Sequence, residues 1–535
     1  MKEKAMNILK EMLTNALPRQ GESEKTMEQY VKPKALMLIG SNQRFLKSRW
    51  AGIAGRIALA GLLSVTVLLI CSKNSPLYPM NDWVDVNCFF TVGRGMRHGL
   101  TPYLDLYEQK GPLLYVAYAL AAWISETSFI GVFIVETACF AAFLYISGRT
   151  AEMLSGTTMA YGWSVAGLGI GVPLSPAFSH GGSAEELFLP VFALGICLTL
   201  KAMKERKPLT VRQAFGLGAC GAAALWTKYT FCGMFAGLAQ AVTAWYIADF
   251  RGKHLGKAVL WAVAGAGAVT AAVLVRYAAA GALPAMWQAY FTDNLTRYSQ
   301  NIRSGNYDLP LPNLLNNLSW FIPVAIGLLW LLCTVRRNWR EAAACALGAV
   351  GLFLFTYASG RRYPYYAIVI AAFGTLGFGA LFAVIPAKIR DSRAFRSGAA
   401  GIAVLAICLG PLAAYQWSGN VYLLGKEKSE LPQYRFAETI RKAEDTSLLN
   451  YGFLDGGFYY AAESLPVTRW FCTLNNDLPE MKQALKEAVD SGETEFIVTR
   501  QQKLKNADRY ELVDKAEMVF EGRMWTYYLY QRKAG

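Results

Sequence analysis

A handful of short stretches in this 535-residue chain carry nearly all the side chains suited to chemistry. One runs Asn81-Asp82-Trp83-Val84-Asp85-Val86-Asn87-Cys88-Phe89-Phe90, and a second runs Thr101-Pro102-Tyr103-Leu104-Asp105-Leu106-Tyr107-Glu108-Gln109-Lys110-Gly111-Pro112. Further on come Ser179-His180-Gly181-Gly182-Ser183-Ala184-Glu185-Glu186, an isolated Lys228, and Arg361-Arg362-Tyr363-Pro364-Tyr365-Tyr366. Asp85, Asp105 and Glu185 could take a proton from a hydroxyl or orient a polar substrate; a positioned base is worth typically about 10²–10⁴-fold in rate. Lys110, Lys228, Arg361, Arg362 and the Tyr365 hydroxyl could neutralise an anion such as a departing phosphate. Each has a plainer alternative. Asp85 could cap a helix or sit solvated, Lys110 could pair with Glu108, and Glu185 or Glu186 could serve a helix N-terminus. Arg361 and Arg362 could reach headgroups beside a tyrosine belt. Asp82 competes with Asp85 for the role of base.

These residues must be positioned by a membrane protein. The chain is 54% hydrophobic and only 17% charged, against about 25% charged in a typical globular domain. Apolar runs recur at 51–71, 129–148, 157–173, 184–200, 213–226, 230–249, 258–275, 313–334, 341–358, 365–386 and 398–418. Most are long enough to cross a hydrocarbon core about 30 Å thick. That excludes a purely soluble protein and a single-span one. The net charge of +15 does not indicate nucleic acid, because residues 419–535 hold 16 Lys+Arg against 18 Asp+Glu. The excess lies in short loops between apolar runs, as membrane topology requires. Eight of the ten cysteines sit in or beside those runs. Cys88 and Cys472 do not, and a disulfide between them is conceivable. No CxxC or HExxH spacing occurs among the three histidines, so no metal site and no required cofactor are expected, with a divalent cation left open.

The piece Leu113–Glu126 is apolar but short, which suits a re-entrant or interfacial helix. If it does not cross, the segments 1–50, 149–156, 201–212, 250–257, 335–340 and 387–397 share one side and hold 26 Lys+Arg in 95 residues. The opposite loops hold 10 in about 113 residues. The positive-inside rule therefore predicts about eleven transmembrane helices, a cytoplasmic N-terminus and an outer C-terminus. No cleavable signal is visible, so the first span is expected to be an uncleaved anchor. Met6, Leu9, Leu13 and Leu17 share a face that could lie on the inner leaflet.

Three domains are expected: a basic segment 1–50, a transmembrane domain 51–418, and a C-terminal α/β domain 419–535. The first outer loop, 72–128, has Asp85, Phe89, Val92 and Met96 at helical spacing, with Gly99 and Pro102 to end the helix. The outer loop 276–312 has aromatics at 287, 290, 291 and 298, suited to an interfacial helix. In the tail, 447–451 and 495–499 read as buried strands flanking an amphipathic helix at 478–490, and 525–530 as a last strand.

An aspartate opening a first-loop helix, then the G-x-x-P-Y-x-D-x-Y-E-x-K-G-P pattern of Gly99–Pro112 and an apolar interfacial helix, resembles membrane glycosyltransferases of the GT-C fold. It looks most like the bacterial relatives of protein O-mannosyltransferases and the lipid A aminoarabinose transferase. The resemblance runs from about residue 50 into the tail. It implies a bacterial cytoplasmic-membrane enzyme that moves a hexose-like sugar from a polyprenyl-phosphate donor to an extracytoplasmic glycan, lipid or protein acceptor, with inversion. Asp85 would be the base, Asp105 and Glu185 would orient sugar or acceptor, and Lys110, Arg361, Arg362, Tyr365 and Lys228 would hold the donor phosphate. Many relatives carry an Asp-Glu pair at the position of Asp85; here Val86 follows. A flippase for lipid-linked saccharides and a non-catalytic assembly subunit are the alternatives. No internal repeat of the transporter kind is seen.

Overall fold

A computed structural model describes residues 52–298, 311–358, 360–390, 392–476, 478–505, 508–520 and 522–534. The basic segment 1–50, with its amphipathic face, lies outside the described residues, as do positions 299–310 of the 276–312 loop. Backbone in hydrocarbon must satisfy its own polar groups, so apolar runs fold as helices. Helix α1 (Gly52–Cys71) is followed by two short helices, α2 (Val84–Arg97) and α3 (Pro112–Ile124). Then come α4 (Ile130–Ser155), α5 (Thr158–Gly171), α6 (Ala184–Glu205), α7 (Val211–Thr227), α8 (Cys232–Phe250) and α9 (Leu255–Ala279). Next are α10 (Leu318–Cys333), α11 (Val335–Tyr357), α12 (Thr375–Ala383) and α13 (Arg393–Trp417). A 3₁₀ segment, Pro364–Gly374, leads directly into α12.

Ten of the expected spans overlap one of these helices each, and the expected span 365–386 overlaps the 3₁₀ segment together with α12. By length and composition, seven helices among the described residues could cross a membrane. Helices α5, α7 and α10 have 14, 17 and 16 residues, short of the roughly 20 that a straight crossing needs.

The first outer loop is built from α2 and α3. Helix α2 ends at Gly99, whose φ of +86° is open to glycine and costly for other residues. The two helices touch backbone to backbone: a Cβ on Gly93 would lie 2.6 Å from the Tyr118 carbonyl carbon. Helix α3, 13 residues long with proline at its start, matches the short piece read as re-entrant or interfacial.

Residues 60–535 form one compact unit that includes the tail. There α14 (Pro432–Ile440) and α15 (Pro479–Ser491) accompany a four-stranded sheet of order β1-β2-β4-β3. Strands β1 (Leu448–Tyr451) and β2 (Phe496–Arg500), with α15 between them in sequence as expected, pair in parallel. Strand β4 (Arg523–Arg532) pairs antiparallel with both β2 and β3 (Tyr510–Phe520). Strand β3 was not expected: its burial pattern is largely exposed, so it lacks the apolar alternation that marks a strand in sequence.

Candidate active site

Asp85 lies in the first turn of α2. It does not cap that helix; the Trp83 amide, just ahead of it, is instead bonded to the Asn81 side chain at 2.9 Å. The Asp85 carboxylate accepts a hydrogen bond from the Tyr365 hydroxyl at 3.1 Å, joining two stretches 280 residues apart. It faces a cavity of about 380 Å³. The long first loop contributes Asp85, Glu108 and Lys110 to the walls, and Tyr363 with the start of the 3₁₀ segment, Pro364 to Tyr366, contributes more. The tail supplies Leu454, Leu474, Asn475, Arg500, Phe520 and Trp525. Burial raises the Asp85 pKa above its ordinary value; Lys110 pulls it down, while Glu108 and Glu185 push it up.

Lys110 is held from several sides. Its amide donates to the Glu108 carboxylate at 3.0 Å and to the Tyr115 hydroxyl at 2.9 Å, and its carbonyl accepts from the Tyr103 hydroxyl at 2.6 Å. Its ammonium lies 3.6 Å from Glu108 and 5.3 Å from the Phe89 ring centre. Gly111 then makes a close approach to the end of α7. Its N–H donates to the Thr227 carbonyl at 3.0 Å, and a Cβ there would sit 2.3 Å from the Trp226 oxygen. The crossing sets Lys110 beside Lys228, and with Tyr366 both line a smaller chamber of about 30 Å³.

Lys228 forms an ion pair with Glu185 and places its ammonium 3.8 Å from the centre of the Tyr366 ring. The two adjacent acids divide their work. Glu186 accepts from the Gly182 amide at 2.8 Å and from the Ser183 hydroxyl at 2.7 Å, so it secures the start of α6. Glu185 instead orients Lys228.

Other expectations require correction. Asp105 does not line the cavity; its carboxylate accepts from the Thr101 amide at 2.7 Å and closes a turn. Arg361 and Arg362 do not line it either. The Arg362 carbonyl accepts from the Asn313 side chain at 3.1 Å, and the tyrosines that follow face inward. Asp82 is engaged in a buried ion pair with Lys73 and is not available as a base. The 276–312 loop is no simple surface helix. Its described part turns through two π-helical segments, 288–292 and 294–298, and docks on the first loop. There the Tyr107 hydroxyl donates to Asp293 at 2.7 Å, and Asn294 donates to the Gln109 carbonyl at 2.7 Å. Cys88 and Cys472 are thiols in contact, with sulfurs 3.9 Å apart.

Sequence reasoning expected the tail to support acceptor recognition, but it missed Glu108 as a wall residue and named none of the tail residues that line the cavity. Glu108 had a signal, since it stands two residues from Lys110. The tail residues had none: Arg500 is the end of a strand, and Trp525 reads as one alternation in another.

No family model and no curated protein matches this chain. Solved structures similar to it include two of one protein. ArnT from Cupriavidus metallidurans bound to undecaprenyl phosphate is 16% identical with a TM-score of 0.58, covering 89% of this chain and 98% of that one. The same protein in the apo state is 15% identical with a TM-score of 0.56, covering 91% and 98%. The fold of this chain, from its membrane helices to its tail domain, is the GT-C fold.

Proposed function

We propose that this protein is a membrane glycosyltransferase that moves a hexose-like sugar from a polyprenyl-phosphate donor to an acceptor on the outer side of a bacterial cytoplasmic membrane. The observation that carries the proposal is the meeting of Asp85, Lys110 and Tyr365 at one cavity. The fold shared with an ArnT solved with undecaprenyl phosphate supports the donor class.

The acceptor hydroxyl oxygen attacks the anomeric carbon from the face opposite the phosphate. The new glycosidic bond forms as the bond from that carbon to the phosphate oxygen breaks, so configuration inverts. Asp85 takes the hydroxyl proton. Its raised pKa brings it closer to the working pH, where a base is most useful. Polyprenyl phosphate leaves as an anion that needs charge neutralisation more than a proton. Lys110 and Lys228, lining the chamber beside Tyr366, supply that charge. Glu108 and Glu185 hold the two ammonium groups in place.

The test is transfer by purified protein from a panel of radiolabelled polyprenyl-phosphate hexoses, with product analysis. A glycosylated acceptor of inverted anomeric configuration is expected. Folded protein that binds undecaprenyl phosphate yet transfers nothing, or that carries the donor across vesicles unchanged, would overturn the assignment.

A further inference from the structure

The tail does more than cover the cavity. Arg500 is the last residue of β2, opposite Tyr527 in β4. Its guanidinium carbon lies 4.3 Å from the Trp525 ring centre and 5.1 Å from that of Phe453. Aromatic faces fix the plane of an arginine while leaving its N–H edge able to grip an oxyanion through two bonds at once.

The charge inventory around the cavity gives that edge a purpose. Lys73, Lys110 and Lys228 each meet a carboxylate, respectively Asp82, Glu108 and Glu185. Of these only Lys110 lines the larger cavity; Arg500 lines it too, and among the described residues no carboxylate forms an ion pair with Arg500. On the same lining Asp85 and Glu108 present negative charge. A negatively charged acceptor would be repelled by them unless a cation elsewhere on the lining held its charge. The lysine chamber lies on the side of the first loop and α7, whereas Arg500, Trp525, Phe520 and Asn475 form the wall given by the tail.

Building on the function proposed above, we propose that this wall is the acceptor subsite. In it Arg500 binds a phosphate or carboxylate group carried by the acceptor, while an acceptor hydroxyl reaches toward Asp85. The acceptor class is thus an anionic, hydroxyl-rich glycan or polyol. Trp525 keeps the guanidinium flat and offers its own edge to the acceptor's carbon skeleton.

A direct readout does not depend on turnover. Full-length protein is treated with phenylglyoxal, which modifies arginine, and the Arg500 peptide is quantified by mass spectrometry with glycerol phosphate, glucuronate or neutral glucose present. Protection by glycerol phosphate, by glucuronate or by both, but not by glucose, is expected, and the arms distinguish phosphate from carboxylate recognition. Equal protection by all three, or by none, overturns the subsite. Kinetics then follow with poly(glycerol phosphate), polyglucuronate and dextran as acceptors. R500Q is expected to raise KM for the preferred anionic acceptor by about tenfold or more, the weight of one charge-assisted hydrogen bond. R500K is expected to recover part of that loss. An unchanged KM in R500Q would also overturn the proposal. Protection of Arg500 without any sugar transfer would uphold the oxyanion site and count against the transferase reading; transfer without protection would do the reverse.

Discussion

Two aspartates three residues apart behave in opposite ways, and their surroundings explain why. Asp85 faces a cavity with the Tyr365 hydroxyl as its bonded neighbour, whereas Asp82 is paired with Lys73 where both side chains are 1% exposed or less. Asp85→Asn keeps shape and removes the base, so transfer should fall by about 10²–10⁴-fold. The acid limb of the wild-type rate profile should have its midpoint above the ordinary carboxylate value of about 4, because burial favours the neutral form. The stability effect has the opposite sign. A carboxyl with a raised folded pKa binds its proton more tightly when folded, so the stability it gives is present below its unfolded pKa. That stability is lost as pH rises through the folded value. Asp85→Asn should therefore raise Tm at pH 8 and change it little at pH 4, measured by thermal unfolding in detergent. Asp82→Asn should do neither. It strands a buried ammonium, which costs about 3–5 kcal/mol, and the readout is a lowered Tm; replacing Lys73 and Asp82 together by apolar residues should restore much of it. In the sequence Asp85 was favoured by the resemblance to the GT-C pattern, an aspartate opening a first-loop helix with an aromatic four residues on. Asp82 could not be dismissed there, because its partner Lys73 is set by the fold of the loop.

At the scale of elements, the site depends on how the end of the first outer loop meets the end of α7. Gly111 permits that crossing, because any side chain would strike the Trp226 carbonyl. Gly111→Ala is expected to push the two backbones apart and separate Lys110 from Lys228. The predicted result is an increase of about tenfold or more in the donor KM, since a displacement of about 1 Å at such a site can cost about 10²-fold. Steady-state kinetics with varied polyprenyl-phosphate sugar would check it. A fall in acceptor affinity alone would be inconsistent with this account. The elements themselves were readable: α2, α3 and the βαβ unit of the tail follow from apolar spacing and from glycine and proline punctuation. The exposed β3 was not, nor was the direction of the 361–366 run. Arginine and tyrosine alternate too little there to tell which side chains turn inward.

Across the whole molecule, the bias of Lys+Arg toward one set of loops predicts that the N-terminus and the tail lie on opposite sides of the membrane. Reporter fusions check this: an alkaline phosphatase joined after residue 534 should be active outside the cytoplasm, and a fluorescent protein joined at the N-terminus should be bright within it. The reverse pattern would place Asp85 on the cytoplasmic side and remove it from an outer-face reaction. Hydrophobic length, charge asymmetry and turn residues are local properties written along the chain, and they determined that this is a many-helix membrane protein with a long acid-bearing first loop and a small α/β tail. Which charges stand together is not local. Lys228 beside Lys110, Arg500 on the cavity that Asp85 lines, and the retirement of Asp82, Asp105 and the Arg361/Arg362 pair from that cavity were decided by tertiary packing alone. Side chains hundreds of residues apart meet only when helices cross and a distant sheet closes over them.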